Sequence, residues 1–76
     1  MTSLDRLLPG QRGRVVSLAD DSRVSRRLME LGLVPGREVI FLRDAPLHDP
    51  LEVRIGSFCL SLRRAEAALV AVEVED

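Results

Sequence analysis

The stretch Arg26-Arg27-Leu28-Met29-Glu30-Leu31-Gly32-Leu33-Val34-Pro35-Gly36 constrains the fold of this chain more than any other. It reads as the last turns of an amphipathic helix, a glycine stop and a tight turn that feeds a strand. Gly32 can take the left-handed conformation that ends a helix, and Leu33 can then fold back on Leu28. Val34-Pro35-Gly36-Arg37 fits a type II turn, in which proline presets one dihedral and glycine accepts a positive φ. Just upstream, Asp20-Asp21-Ser22 offers three N-caps in a row, with carboxylates suited to the positive end of a helix dipole. A helix is therefore expected from about Arg23 to Leu31, with Val24, Leu28 and Leu31 as one buried stripe at i, i+4 and i+7. Arg23, Arg26, Arg27 and Glu30 fall on other faces. Met29 lies about 100° off the stripe, as a partly exposed apolar contact or a widening of the core face.

The rest of the chain reads mostly as short strands. Leu4, Leu7 and Leu8 have helical spacing, but Pro9-Gly10 stops anything longer than a turn. Gly13 to Ala19 is rich in β-branched residues, with Val16 and Leu18 on one face. Glu38 to Arg43 carries the apolar run Val39-Ile40-Phe41-Leu42, and both of its faces are expected to be covered. Asp44 to Pro50 is a proline-bounded loop. Leu51 to Ile55 alternates cleanly, Gly56-Ser57 is a hairpin connection, and Phe58, Leu60 and Leu62 continue the inward face. Arg63 to Ala68 has room for one or two helical turns, and Val70, Val72 and Val74 alternate to the end. Leu8-Pro9-Gly10 and Val34-Pro35-Gly36 read as the same turn used twice. About five short strands without a long crossover helix cannot form a parallel sheet, so a small antiparallel barrel with one inserted helix is the expectation.

Composition narrows the chemistry. The chain has 76 residues, net charge −1, one cysteine, two phenylalanines and no tryptophan or tyrosine. That length supports one domain, taken as residues 1–76, and a core too small for a deep pocket. The charge gives no pull toward nucleic acid or anionic lipid, and two aromatic residues make no base-stacking platform. All eleven basic residues are arginine, which removes lysine Schiff-base and P-loop chemistry. A lone cysteine excludes an internal disulfide framework, and no leader or membrane-length apolar run is evident, so a cytoplasmic location is expected.

No catalytic constellation emerges, and no cofactor is expected. His48 and Cys59 are the weak metal candidates, but zinc usually takes three or four such ligands. Serines lie in strand and cap contexts, without a nucleophile elbow. A binding module is left. Arg26, Arg27, Met29, Leu33 and Val34 are its candidate partner-binding residues, because they sit at or beside the exposed side of the inserted helix. Arg12, Arg14 and Arg63-Arg64 extend the arginine cluster, whose plainer reading is solubility and an Arg26–Glu30 pair.

Taken together, Arg27-Leu-Met-Glu-Leu-Gly-Leu-Val-Pro-Gly36, Glu38-Val39, Ala45-Pro-Leu-His-Asp-Pro50, Leu60-Ser-Leu-Arg63, Glu66-Ala67 and Val72-Glu73 resemble the FeoA family, the small ferrous iron transport protein A. The ordered match runs from about Leu4 to Glu73. The resemblance implies an SH3-like β-barrel with a helical insertion. It implies an accessory of bacterial ferrous iron uptake, partnered by the membrane permease FeoB with its cytosolic GTP-binding domain. The family is associated with transition metals, yet its motif holds no ligand set. His48 stands where similar chains are expected to have glycine. The alternative reading is a metal- or peptide-responsive regulatory domain, as in metal-dependent repressors. Nucleic-acid binding and membrane insertion are not expected, and an exposed barrel edge would permit self-association.

Overall fold

The computed structural model describes residues 1–75. Among them, six strands form one antiparallel sheet: β1 (Thr2–Ser3), β2 (Arg12–Leu18), β3 (Glu38–Asp44), β4 (Leu51–Ile55), β5 (Phe58–Leu62) and β6 (Val70–Glu75). They lie in the order β1-β6-β2-β3-β4-β5. Helix α1 (Arg23–Glu30) is inserted between β2 and β3, and the single turn α2 (Arg64–Ala67) between β5 and β6. Short 3-10 turns occupy Leu4–Arg6 and Pro46–His48.

The expected mainly β, antiparallel architecture with an inserted helix is present, and two details refine it. The strand count rises from five to six, because Thr2–Ser3 pairs with Val72 and Ala71 of β6. A two-residue strand has no alternation from which to be read. The barrel is also not closed by hydrogen bonds, since β1 and β5 stand at the two ends of the strand order. β5 is an open edge.

Inner faces from β2 to β6 meet in a single core. Val15, Val39, Phe41, Leu51, Val53, Ile55, Leu62, Val70 and Val72 come from the sheet, and Leu4, Leu7, Leu28, Leu33 and Ala67 from the turns and helices that cover it. The inward residues of β2 are Gly13 and Val15, not Val16. A bulge between Val15 and Ser17 inserts one residue against β6, which turns Val16 outward and leaves Leu18 half-buried. A bulge shifts the side-chain alternation by one, so a strict period of two fails beyond it. Gly13 fits here because an added Cβ would press on Val72 Cβ and Glu73 O, each at 3.3 Å.

The two Pro-Gly turns are indeed one device used twice. Gln11 N–H donates to Leu8 O (2.9 Å) and Arg37 N–H to Val34 O (3.1 Å), with Gly10 and Gly36 at φ +88° and +92°. Each glycine then donates across the β2–β3 pair, Gly10 to Phe41 O (2.7 Å) and Gly36 to Val15 O (2.8 Å). The turns therefore bracket that strand pair from opposite ends and fix where α1 leaves and rejoins the sheet.

Candidate docking surface

α1 begins at Ser22, whose Oγ accepts from Ser25 N–H at 3.1 Å. Asp20 braces the cap: its Oδ1 accepts from Ser22 N–H (3.1 Å) and from the Ser25 hydroxyl (2.8 Å). The Ser22 side chain first, then the Ser25 hydroxyl and the Ser22 N–H, hold the Asp20 carboxyl below its ordinary value near 3.8. The helix ends in a Schellman motif. Gly32 N–H reaches Met29 O (3.0 Å), Leu33 N–H reaches Leu28 O (3.0 Å), and Gly32 takes φ +116°.

The buried line of α1 differs from the expected one. Ser25 and Leu28 are fully buried, whereas Val24 is 37% exposed and Leu31 47%. Ser25 sits about 100° around the helix from Val24. Drawn inward by Asp20 and satisfied through its hydroxyl, it rolls the helix so that Val24 and Leu31 flank the core contact. Leu33 is corrected as a surface candidate. The Schellman turn folds it onto the core at 0% exposure, where it can touch no partner. The remaining partner-binding candidates also do not form one face. Arg26 is exposed and faces Asp21 at 4.0 Å, in place of the expected Glu30. Arg27 pairs with Glu66 of α2. Met29 is half-buried on the far flank, and Val34 is exposed in the turn.

What the structure does expose here are three apolar side chains: Val24 and Leu31, seven residues apart on one flank of α1, and Val34 in its exit turn. Leu31 also lines a groove of about 430 Å³, together with Arg27, Pro50, Ser61, Leu62, Arg63 and Glu66. Leu31 and Glu66 were not among the partner-binding candidates, and Arg63 entered only as an extension of the arginine cluster. The period-3.6 pattern put Leu31 inside, and only the cap geometry around Ser25 could have moved it out.

The metal candidates are not brought together. His48 lies in the loop that enters β4 at Leu51, where Leu51 pairs with Leu62, whereas Cys59 pairs with Arg54 near the other end of the hairpin. Among the described residues no three His, Cys, Asp or Glu side chains gather as a ligand set. His48 Nδ1 instead bonds Asp44 Oδ2 at 2.8 Å. That bond is the main cause holding the Asp44 carboxyl below its ordinary value, with Arg64 adding to it. Arg64 donates to His48 O (2.6 Å), Asp44 Oδ2 (3.2 Å) and Asp5 O. This arginine is an internal clamp and not part of a docking cluster.

Comparison with known proteins decides the family. The FeoA domain model matches residues 2–74. The chain belongs to the FeoA family. A Porphyromonas gingivalis relative, an Fe(2+) transport protein A/Fe(2+) transporter FeoB fusion protein, is 34% identical over 71 residues. That match covers 93% of this chain and 8% of the fusion protein, so the chain spans under a tenth of that relative's length. The FeoA protein of Chlorobium tepidum is 44% identical with a TM-score of 0.88, covering 96% of this chain and 70% of that one. The FeoA of Stenotrophomonas maltophilia, solved with zinc and described as a prokaryotic SH3 domain protein, is 34% identical with a TM-score of 0.86, covering 96% and 91%. The SH3-like fold expected of an FeoA domain is thus present, with its sheet open at β5. Metal-dependent repressors share this fold at 19% identity, which carries no argument about function. No helix among the described residues is long and apolar enough to cross a membrane.

Proposed function

We propose that this chain is a non-catalytic accessory of ferrous iron transport that docks on the cytoplasmic GTP-binding domain of a FeoB-type permease. The observation that carries the reading is the fusion relative, in which an FeoA-like segment and FeoB share one polypeptide. Fusion holds the two at high effective concentration, which is useful only if they act together. The Stenotrophomonas FeoA, described as a candidate activating factor for bacterial ferrous iron transport, supports the same role. The exposed Val24, Leu31 and Val34 supply the apolar centre of the docking surface, and Arg27 its charged margin. Leu31 and Arg27 line one groove, and exposed apolar residues beside an arginine are the pattern of an interface core and rim. Arg26 and Met29 lie toward other sides of the helix and contribute less.

The test is calorimetric titration of the permease's cytosolic domain with the chain and its variants. Val24→Asp and Leu31→Asp alter exposed positions, so circular dichroism should show an unchanged fold. Each is expected to weaken binding about tenfold or more, as loss of a central apolar contact does, while Arg26→Asp changes affinity less. Wild-type affinity in both the Val24 and the Leu31 variant would overturn the placement, and no binding by the wild type would overturn the partner.

A further inference from the structure

Among the described residues, β5 is the longer of the two edge strands, and the sequence places no charge or proline on it. Edge strands are ordinarily blunted by charges, proline, bulges or a covering element. Phe58-Cys59-Leu60-Ser61-Leu62 has no charge and no proline, and its register with β4 runs without a bulge. Its hairpin turn has Gly56 at φ +59°, as a two-residue turn requires. In such a hairpin Ile55 and Phe58 exchange backbone hydrogen bonds. The backbone N–H and C=O groups of Cys59 and Ser61 therefore point outward, away from β4.

The edge is also self-complementary. Apolar residues stand at 58, 60 and 62 and small polar ones at 59 and 61, so the strand reads alike in both directions about Leu60. Phe58 is 68% exposed although it lies on the inward side of the sheet, in line with the buried Leu62. The 430 Å³ groove opens beside Leu62 and Leu31 on the same edge.

We propose that β5 pairs with β5 of a second copy of this chain, antiparallel and two-fold symmetric about Leu60, with Phe58 of each copy seated in the groove of the other. In that register Cys59 faces Ser61 of the partner, which uses all four outward backbone groups on each strand. Phe58 lies opposite the partner's Leu62, at the mouth of its groove. This is the reciprocal contact that an isologous interface requires. Charge agrees with it. On the outer face Arg54 lies beside Cys59 and Glu52 beside Ser61. The paired rows therefore read Arg54, Cys59, then the partner's Ser61 and the partner's Glu52. Opposite charges end each row, and only small side chains lie between them.

Sedimentation velocity on the chain alone, from micromolar to about millimolar concentration, reads the association. A monomer–dimer equilibrium is expected, weakened about tenfold or more by Phe58→Ala, as burial of a phenylalanine implies. Ser61→Pro should abolish it, because proline removes an outward N–H that the monomer leaves free. Phe58→Ala alone decides the matter if Ser61→Pro fails to fold. Under mild oxidation Ser61→Cys should form a covalent dimer through Cys59, well ahead of Ser57→Cys, which has no cysteine opposite it. A chain that stays monomeric throughout, or a Phe58→Ala dimer of wild-type affinity, overturns the proposal, as does equal cross-linking of the two cysteine variants. No permease is present in these measurements, so their failure leaves the docking reading standing or falling on its own titration.

Discussion

His48 holds a backbone conformation that side chains avoid. Its φ is +65°, and that of Leu47 before it is +69°. Left-handed backbone costs a non-glycine residue on the order of 1 kcal/mol or more. The tip of this loop is nonetheless well tied: Ala45 N–H donates to Pro50 O (2.9 Å), His48 N–H to Ala45 O (2.8 Å), and the His48 ring bonds Asp44. His48→Gly removes the left-handed cost, loses an exposed ring contact and adds chain entropy to the unfolded state. These effects offset one another, so stability by urea denaturation is expected within about 1 kcal/mol of wild type. His48→Val keeps the strain and adds a β-branch, and is expected to lose about 1–2 kcal/mol. The pH dependence follows from Asp44. Its folded-state carboxyl lies below the ordinary value of 3.8, so its contribution is complete above about pH 4 and is lost as pH falls through the folded value. His48→Gly removes the main cause of that shift, so its urea midpoint should fall less steeply below pH 4 than wild type's. An equal slope would assign the shift to the backbone hydrogen bond at Asp44 and to Arg64. The loop was legible from its residue types, and the anomaly at His48 only through the family resemblance, which implies glycine there. The positive φ that explains the anomaly was not.

α1 shows how an element can be placed correctly and turned wrongly. Its ends were legible because Ser22, Gly32 and Leu33 are local signals, each acting within a few residues. Its rotation was not, because Ser25 reads as polar and Val24, Leu28 and Leu31 keep perfect period. A serine becomes a core residue only when its hydroxyl has a partner, and that partner, Asp20, lies before the helix begins. β2 fails in the same way at Val16, where a bulge against β6 shifts the face. Packing faces are decided by such local interruptions, and hydrophobic period averages over them. The cap also carries a measurable share of the helix. Ser22→Ala leaves Ser25 N–H without its acceptor and is expected to cost about 1 kcal/mol. Native-state amide exchange should show faster exchange at residues 23–26 first. Exchange that accelerates evenly over the whole sheet would mean that the cap supports global folding and not the helix end.

At the scale of the molecule, local devices are joined by one long-range clamp. The two Pro-Gly turns lie 26 positions apart, as do Val15 and Phe41, which accept from Gly10 and Gly36 in exchanged order. The β2–β3 pair is thus locally two-fold, and its repeated turn was visible in the chain as a repeated tripeptide. Arg64 was not visible in this role, since a second arginine beside Arg63 looks like more surface charge. Its guanidinium joins the first 3-10 turn through Asp5 O, the end of β3 through Asp44, and the loop through His48 O. Its own N–H donates to Asp49 Oδ1 at 2.9 Å. A planar fork can serve three acceptors set apart in this way, whereas a lysine ammonium concentrates its donors at one point. Arg64→Lys is therefore not conservative. With hydrogen bonds to a charged group among those lost, and the group about one-third exposed, the expected cost is about 1–2 kcal/mol. Amide exchange should rise at residues 4–7 and 44–49 while β2 and β6 keep their protection, because the sheet ladder does not pass through this contact. Unchanged stability in Arg64→Lys would show that charge alone, without the fork, holds the three segments together.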